Sequence, residues 1–152
     1  MAKRFLVPVD QRPIGEPAMA IVADAARAAG GTVRLLHVAP VPELVVSPEG
    51  HTVAYADQEM SRVEAEHLDH LRRFEPVFTG VAVEAVVRFG EPAEEILDEA
   101  EAWGAEVIAV MTTCRNGVKR TLLGSVAEQL LRKAAATVLL IRPAEGPVPT
   151  TG

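Results

Sequence analysis

The chain has 152 residues, of which 49% are hydrophobic, 24% charged and 4% aromatic, the make-up of one globular domain with a core of Val, Leu, Ile and Ala. A formal net charge of -6 argues against nucleic acid or an anionic membrane as a partner, since both need a positive footprint. The single cysteine, Cys114, allows no internal disulfide, "MAKRFLVPVD" has no apolar signal region, and no apolar run reaches membrane-spanning length, so a cytoplasmic protein is expected.

In chain order, "RFLVPVD" reads as a short buried strand, Phe5 to Val9, ending at Asp10, and "QRPIGEP" as a turn-rich loop. Ala18, Ile21, Val22, Ala25, Ala26 and Ala29 recur at helical spacing, and "AGG" closes that helix because glycine takes the left-handed position cheaply. "TVRLLHV" is the second strand. Pro40, Pro42, Pro48 and Gly50 make the next stretch irregular. A second helix spans roughly Val53 to Phe74, with Met60, Val63, His67, Leu71 and Phe74 on one stripe.

"VAVEAVVRF" is the third strand. In "GEPAEEILDEAEAWG", Pro92 suits a first helical turn, Glu94 and Glu95 favour the positive end of the dipole, and Ile96, Leu97 and Ala100 supply a core face. "EVIAVM" is continuously apolar, as a strand buried on both faces must be. Ser125 and Glu128 have the S-x-x-E spacing of a capping box, and Val126, Ala127, Leu130, Leu131 and Ala134 form an inward face. "TVLLIR" is the fifth strand. One domain is expected over residues 1–143, followed by a flexible tail at 144–152, rich in Pro, Gly and Thr.

Alternating strands and helices imply an α/β fold, a Rossmann-like five-stranded parallel sheet with helices on both faces. With strand order 3-2-1-4-5, ligands bind beyond the carboxyl ends of the strands where the order reverses, between strands one and four. That crevice brings Asp10 beside the loop running from Met111 to Ser125.

At these residues the chain resembles the universal stress protein family over nearly its whole length. "FLVPVDQRPIGEPA" is similar to the family's opening strand and D-G-S-x-x-x-E-x-A segment, "LLHV" to its second strand, and "GEPAEEIL" to the start of its third helix. "LLGSVAEQLLRKAAATVLLIRP" resembles its C-terminal block across loop, helix and edge strand together. The resemblance implies a dimeric stress-response protein. It implies no particular chemistry.

The family's nucleotide-binding branch carries G-x2-G-x9-G followed by Ser or Thr, whose N–H groups and helix start cradle phosphates. Gly124 and Ser125 match the final pair. Counting back without a gap places Cys114 on the second glycine and Met111 on the first. Aligning Met111 with the family's strand-ending methionine places Thr112 on the first glycine and leaves the loop one residue short. Both upstream glycines are absent either way, and Gln11 and Arg12 stand where the family often has Gly-Ser.

By resemblance, Pro8 and Asp10 border the adenine and ribose, Val38 lines the base pocket, and Val126 sits just beyond the phosphate grip. Asp is also common in turns, where it bonds its own backbone. Arg115, Lys119 and Arg120 make the loop locally cationic, which favours an anion at the helix start. The same residues also suit a solvated surface loop.

The expected cofactor is therefore ATP or another adenine nucleotide, with magnesium only alongside it. The triphosphate loop reads as degenerate, so binding is expected to be weak or absent. The alternative is a genuine ATP-binding stress protein acting as a nucleotide-dependent switch. No catalytic residue and no resident metal site are expected. His67 and His70 alone offer too few ligands, and no P-loop lysine pattern occurs. Cys114 suits either a redox-sensitive thiol or a small loop residue. The S-G-G-x-D-S of ATP-pyrophosphatases, the H-x-G-H of nucleotidyltransferases and the acidic pair of receiver domains are missing. The last strand presents a long apolar edge, a hazard unless covered, so a homodimer through Val138, Leu139, Leu140 and Ile141 is expected.

Overall fold

The computed structural model describes residues 3–10, 16–42, 53–111 and 124–142. The elements are β1 (Arg4–Pro8), α1 (Glu16–Ala28), β2 (Thr32–Ala39), α2 (Val53–Arg72), a 3-10 helix (Glu75–Phe78), β3 (Ala82–Phe89), α3 (Pro92–Trp103), β4 (Val107–Met111), α4 (Ser125–Lys133) and β5 (Thr137–Ile141). All strands run parallel, in the order β3-β2-β1-β4-β5. The strand boundaries lie within a residue or so of those read from the sequence. The 3-10 turn, with Pro76 at its start and Phe78 buried, was not anticipated. The tail at 144–152 lies outside the described residues.

Side chains alternate across each strand, so the sheet feeds two cores. On one face Phe5, Val7, Val33, Leu35 and Ala109 pack with Met19, Val22, Ala26, Leu71 and Phe78. On the other, Leu6, Leu36, Ile108 and Val110 pack with Ile96, Ala100, Ala127 and Leu130. Helices α1 and α2 therefore cover the first face, and α3 and α4 the second. Each fully buried leucine contributes about 2 kcal/mol of apolar burial.

Two glycines between α1 and β2 do separate jobs. Gly30 takes a φ of 62°, in the left-handed region that ends helices. Gly31 passes so close to β1 that a Cβ there would lie 2.4 Å from the Lys3 carbonyl oxygen. Gly104, at φ 75°, closes α3 by donating its N–H to the carbonyls of Ala100 and Glu101.

Two core assignments need correction. Ile21 is 50% exposed and Leu131 44% exposed. The inward face of α1 is instead Ala18, Met19, Val22, Ala23 and Ala26. The helix is rotated so that Met19 and Ala23, rather than Ile21 and Ala25, meet the sheet most closely. A third correction concerns the start of α4. Gly124 is the N-cap and Ser125 the first helical residue, with no side-chain cap. Glu128 pairs with Arg132 at 3.1 Å instead of closing a capping box.

Between β2, β3 and α3 lies a charged cluster. Glu99 of α3, only 6% exposed, accepts hydrogen bonds from Arg34 at 2.6 Å and from Arg88 at 2.5 Å. Arg34 also pairs with Glu84 and lies 4.5 Å over the Trp103 ring, while Arg88 reaches Glu95. Burial pushes the Glu99 carboxyl up, but the Arg88 and Arg34 hydrogen bonds outweigh it and hold the group below the usual carboxylate range. The cluster ties α3 to the two strands beneath it.

Candidate functional site

The site begins with a proline in an interior strand. The Lys3 carbonyl accepts from Thr32 of β2, and the Arg4 carbonyl from Glu106 beside β4. Backbone groups of a parallel strand point alternately to its two neighbours, so odd-numbered residues of β1 bond β2 and even-numbered ones face β4. Pro8 is even-numbered and has no N–H to give. Pairing of β1 with β2 runs on to Pro8 and Leu36, and Val9 still donates to the Leu36 carbonyl at 2.7 Å. Pairing with β4 stops at Leu6 and Ile108. The two central strands part at their carboxyl ends, where the strand order reverses.

A crevice of about 340 Å³ fills that gap. Its walls are apolar, from Val38, Ile96, Val110, Val126 and Ala127 among others. Pro8 is half-buried in the wall and Asp10 exposed at the rim. Asp10 and His37 are the ionisable residues among the described lining. The start of α4 forms the far side through Gly124 and Val126, and Pro92 brings the first turn of α3 to the same opening. Among the described residues, an added Cβ at Gly124 would meet nothing within 4 Å. Helix N-termini present free N–H groups and a partial positive charge.

Of the residues singled out in the sequence, Pro8, Asp10, Val38, Met111, Gly124 and Val126 do line this crevice. Ser125 opens α4 beside it, exposed, without belonging to the lining. Thr112, Arg115 and the rest of the 112–123 loop, Cys114 included, lie outside the described residues, as does Arg12. The sequence reading missed Pro92 and Ile96 as lining. Their signal was present, because the turn after β3 is short and α3 must start at the same sheet end as the crevice.

His37 is 5% exposed and is among the lining residues of the crevice. Alternation places its ring with Val33 and Leu35. Its Nδ1 donates to the Val9 carbonyl at 2.8 Å, and its face stacks on His67 of α2 with ring centroids 3.9 Å apart. His70 turns away to meet the edge of Phe74. The two α2 histidines thus have different partners. The arrangement as a whole suits a flat apolar heterocycle, a polar rim contact at Asp10 and an anionic group at the α4 start.

The profile of the universal stress protein family matches residues 1–142. The chain belongs to the universal stress protein family. Universal stress protein MJ0531 of Methanocaldococcus jannaschii is 26% identical over 140 residues, covering 92% of this chain and 82% of that protein. A solved structure of MJ0577, a universal stress protein from the same organism, superposes with a TM-score of 0.76 at 24% identity, covering 95% of this chain and 99% of that one. The universal stress protein of Archaeoglobus fulgidus in complex with dAMP has a TM-score of 0.57 at 22% identity, over 91% of this chain and 97% of that one. At these identities the solved structures establish the fold that this universal stress protein shares with them.

Proposed function

We propose that this chain is a non-enzymatic regulatory member of its family that takes an adenine nucleotide, weakly, in the crevice between β1 and β4. The observation that carries the reading is the meeting of Pro8, Asp10, Val38, Met111, Gly124 and Val126 around one apolar opening of nucleoside size. The base fits against Val38 and Pro8, Asp10 accepts from a ribose hydroxyl, and the α4 start faces the phosphate. The Archaeoglobus fulgidus relative solved in complex with dAMP supports an adenine nucleotide as the class of ligand. Magnesium enters only with a nucleotide.

The triphosphate end is the weak part. Glycines let a backbone wrap an anion without intervening side chains, and Thr112 and Cys114 each carry a Cβ. AMP, ADP and ATP are therefore expected to bind about equally. Calorimetric titration of the three, with magnesium, tests this. Tight and ATP-selective binding would establish the other reading, a nucleotide-dependent switch. No substantial ATP turnover is expected, because the sequence carries no P-loop lysine pattern. A steady enzymatic rate abolished by Asp10→Ala would refute that part.

Assembly as a cytoplasmic homodimer through β5 completes the proposal. Leu139 and Leu140 are each 37% exposed on an edge strand with nothing beyond it among the described residues.

A further inference from the structure

We propose that the stacked His37–His67 pair is a proton-sensitive latch that holds α2 and the crevice end of β1 in register. The geometry has three linked parts. Val9, buried next to the exposed Asp10, offers its carbonyl to His37 Nδ1 at 2.8 Å. That bond places the proton of the neutral ring on Nδ1 and leaves Nε2 as a lone pair, buried and without a partner among the described residues. His67 then lies flat on the same ring, 3.9 Å between centroids and 28° between planes. A shift of His67 therefore reaches β1 through one buried side chain.

The described part of α2 buries few side chains outright. Among its described side chains, Leu71 near the carboxyl end is buried outright, whereas Met60, Val63 and His67 are only half-buried. The stack is thus one of the contacts that hold the middle of the helix. Stacked imidazoles attract while neutral. A proton on His67 sets a positive charge against the His37 face and must also be taken out of water.

The surroundings decide which way protonation acts. Burial is the largest influence on His67 and lowers its pKa; His37 and His70 lower it further. Glu66, the neighbouring carboxylate, favours the charge but is already paired with Arg62 at 2.6 Å. On this face β3 offers only Val83, Ala85 and Val87, and α1 offers its apolar stripe. The described elements packed against the pair therefore bring no new acid to stabilise the charged ring. The sign follows: the stack is at full strength above the ordinary histidine value and is lost as pH falls towards the lowered folded value. Protonated His67 swings out, the middle of α2 loosens, and His37, which bonds the Val9 carbonyl, loses the ring stacked on it.

This inference needs no ligand, so it stands or falls apart from the nucleotide reading. The test is amide hydrogen exchange of the full chain at about pH 7.5 and about pH 5, corrected for the intrinsic pH dependence. Protection in α2 before Leu71 is expected to fall by about tenfold at the lower pH, with α3 unchanged. His67→Phe keeps a flat ring on His37 and is expected to abolish the difference, while the control His70→Gln keeps it. Equal loss in the wild type and His67→Phe, or no loss in the wild type, would overturn the proposal. Should His67→Phe fail to fold, the wild type still decides. In an NMR titration the Val9 and Asp10 amides must move with the His67 imidazole, and amides that ignore its midpoint refute the latch.

Discussion

Leu6 pairs with Ile108, and beyond that pair β1 and β4 no longer bond. The next residue of β1 to face β4 is Pro8, which has no N–H. Where the two strands part, β1 thus lacks one donor in the middle of a parallel sheet. Replacing Pro8 with Ala restores the donor and should let the ladder grow by one bond. The net gain in stability is expected to be small, about 0.5 kcal/mol either way, because the new bond is offset by a more flexible unfolded chain. The residue 8 amide should become protected from exchange, and the crevice should narrow. An unprotected amide in Pro8→Ala would show that something other than the proline holds the strands apart.

Glu99 is the second residue whose environment makes a measurable demand. Glu99→Ala removes the acceptor that Arg34 and Arg88 share, leaving Arg34 with Glu84 and Arg88 with Glu95. Both arginines retain some solvent access, at 19% and 29% of their side chains, which softens the penalty. A loss of about 2 kcal/mol in urea denaturation at neutral pH is expected, with Glu99→Gln losing less. The carboxyl is held below its usual range in the folded state. Its contribution is therefore complete above the ordinary carboxylate value and disappears as pH falls through the folded value. If the wild type and Glu99→Ala converge in stability under acid conditions, this pairing is the cause; a constant gap would assign the loss to packing.

The loop degeneracy proposed above has a direct test. Thr112→Gly with a glycine inserted after Cys114 returns both missing backbone positions. ATP affinity should rise by about tenfold relative to AMP, the scale of one or two phosphate contacts to backbone N–H groups. Calorimetry on both forms provides the comparison, and an unchanged ATP-to-AMP ratio would mean these glycines are not what the loop lacks.

Leu140→Lys places a charge on the exposed face of β5. Sedimentation should show the proposed dimer weakened by about tenfold or more, since a lysine at the centre of such a strand-to-strand contact would be buried with no acid to meet. A wild type that is monomeric at micromolar concentration would remove the premise.

Much of this architecture is local and so was readable from the chain itself. Hydrophobic period, Pro92 at a helix start and glycine at helix ends depend on near neighbours, and the βαβ rhythm leaves few topologies once each element is assigned. The crevice was legible for the same reason, because strand order alone puts Asp10 opposite the α4 start. Other features needed the folded molecule. Periodicity says that a helix has an apolar side but not how it is rotated against its sheet, so Ile21 and Leu131 were assigned inward and lie outward. The S-x-x-E spacing at Ser125 marks where a helix can begin, yet whether it begins there or one residue earlier depends on where β4 delivers the chain. Glu99 reads as one acid among several in "AEEILDEAEAW"; its burial is permitted only by Arg34, 65 positions away, and Arg88 of the adjoining strand. His37 and His67 look equally unremarkable, thirty residues apart on different elements. Only packing brings their rings face to face, because side-chain charge and hydrogen bonding act through space over a few ångströms, and the sequence orders residues along the chain alone.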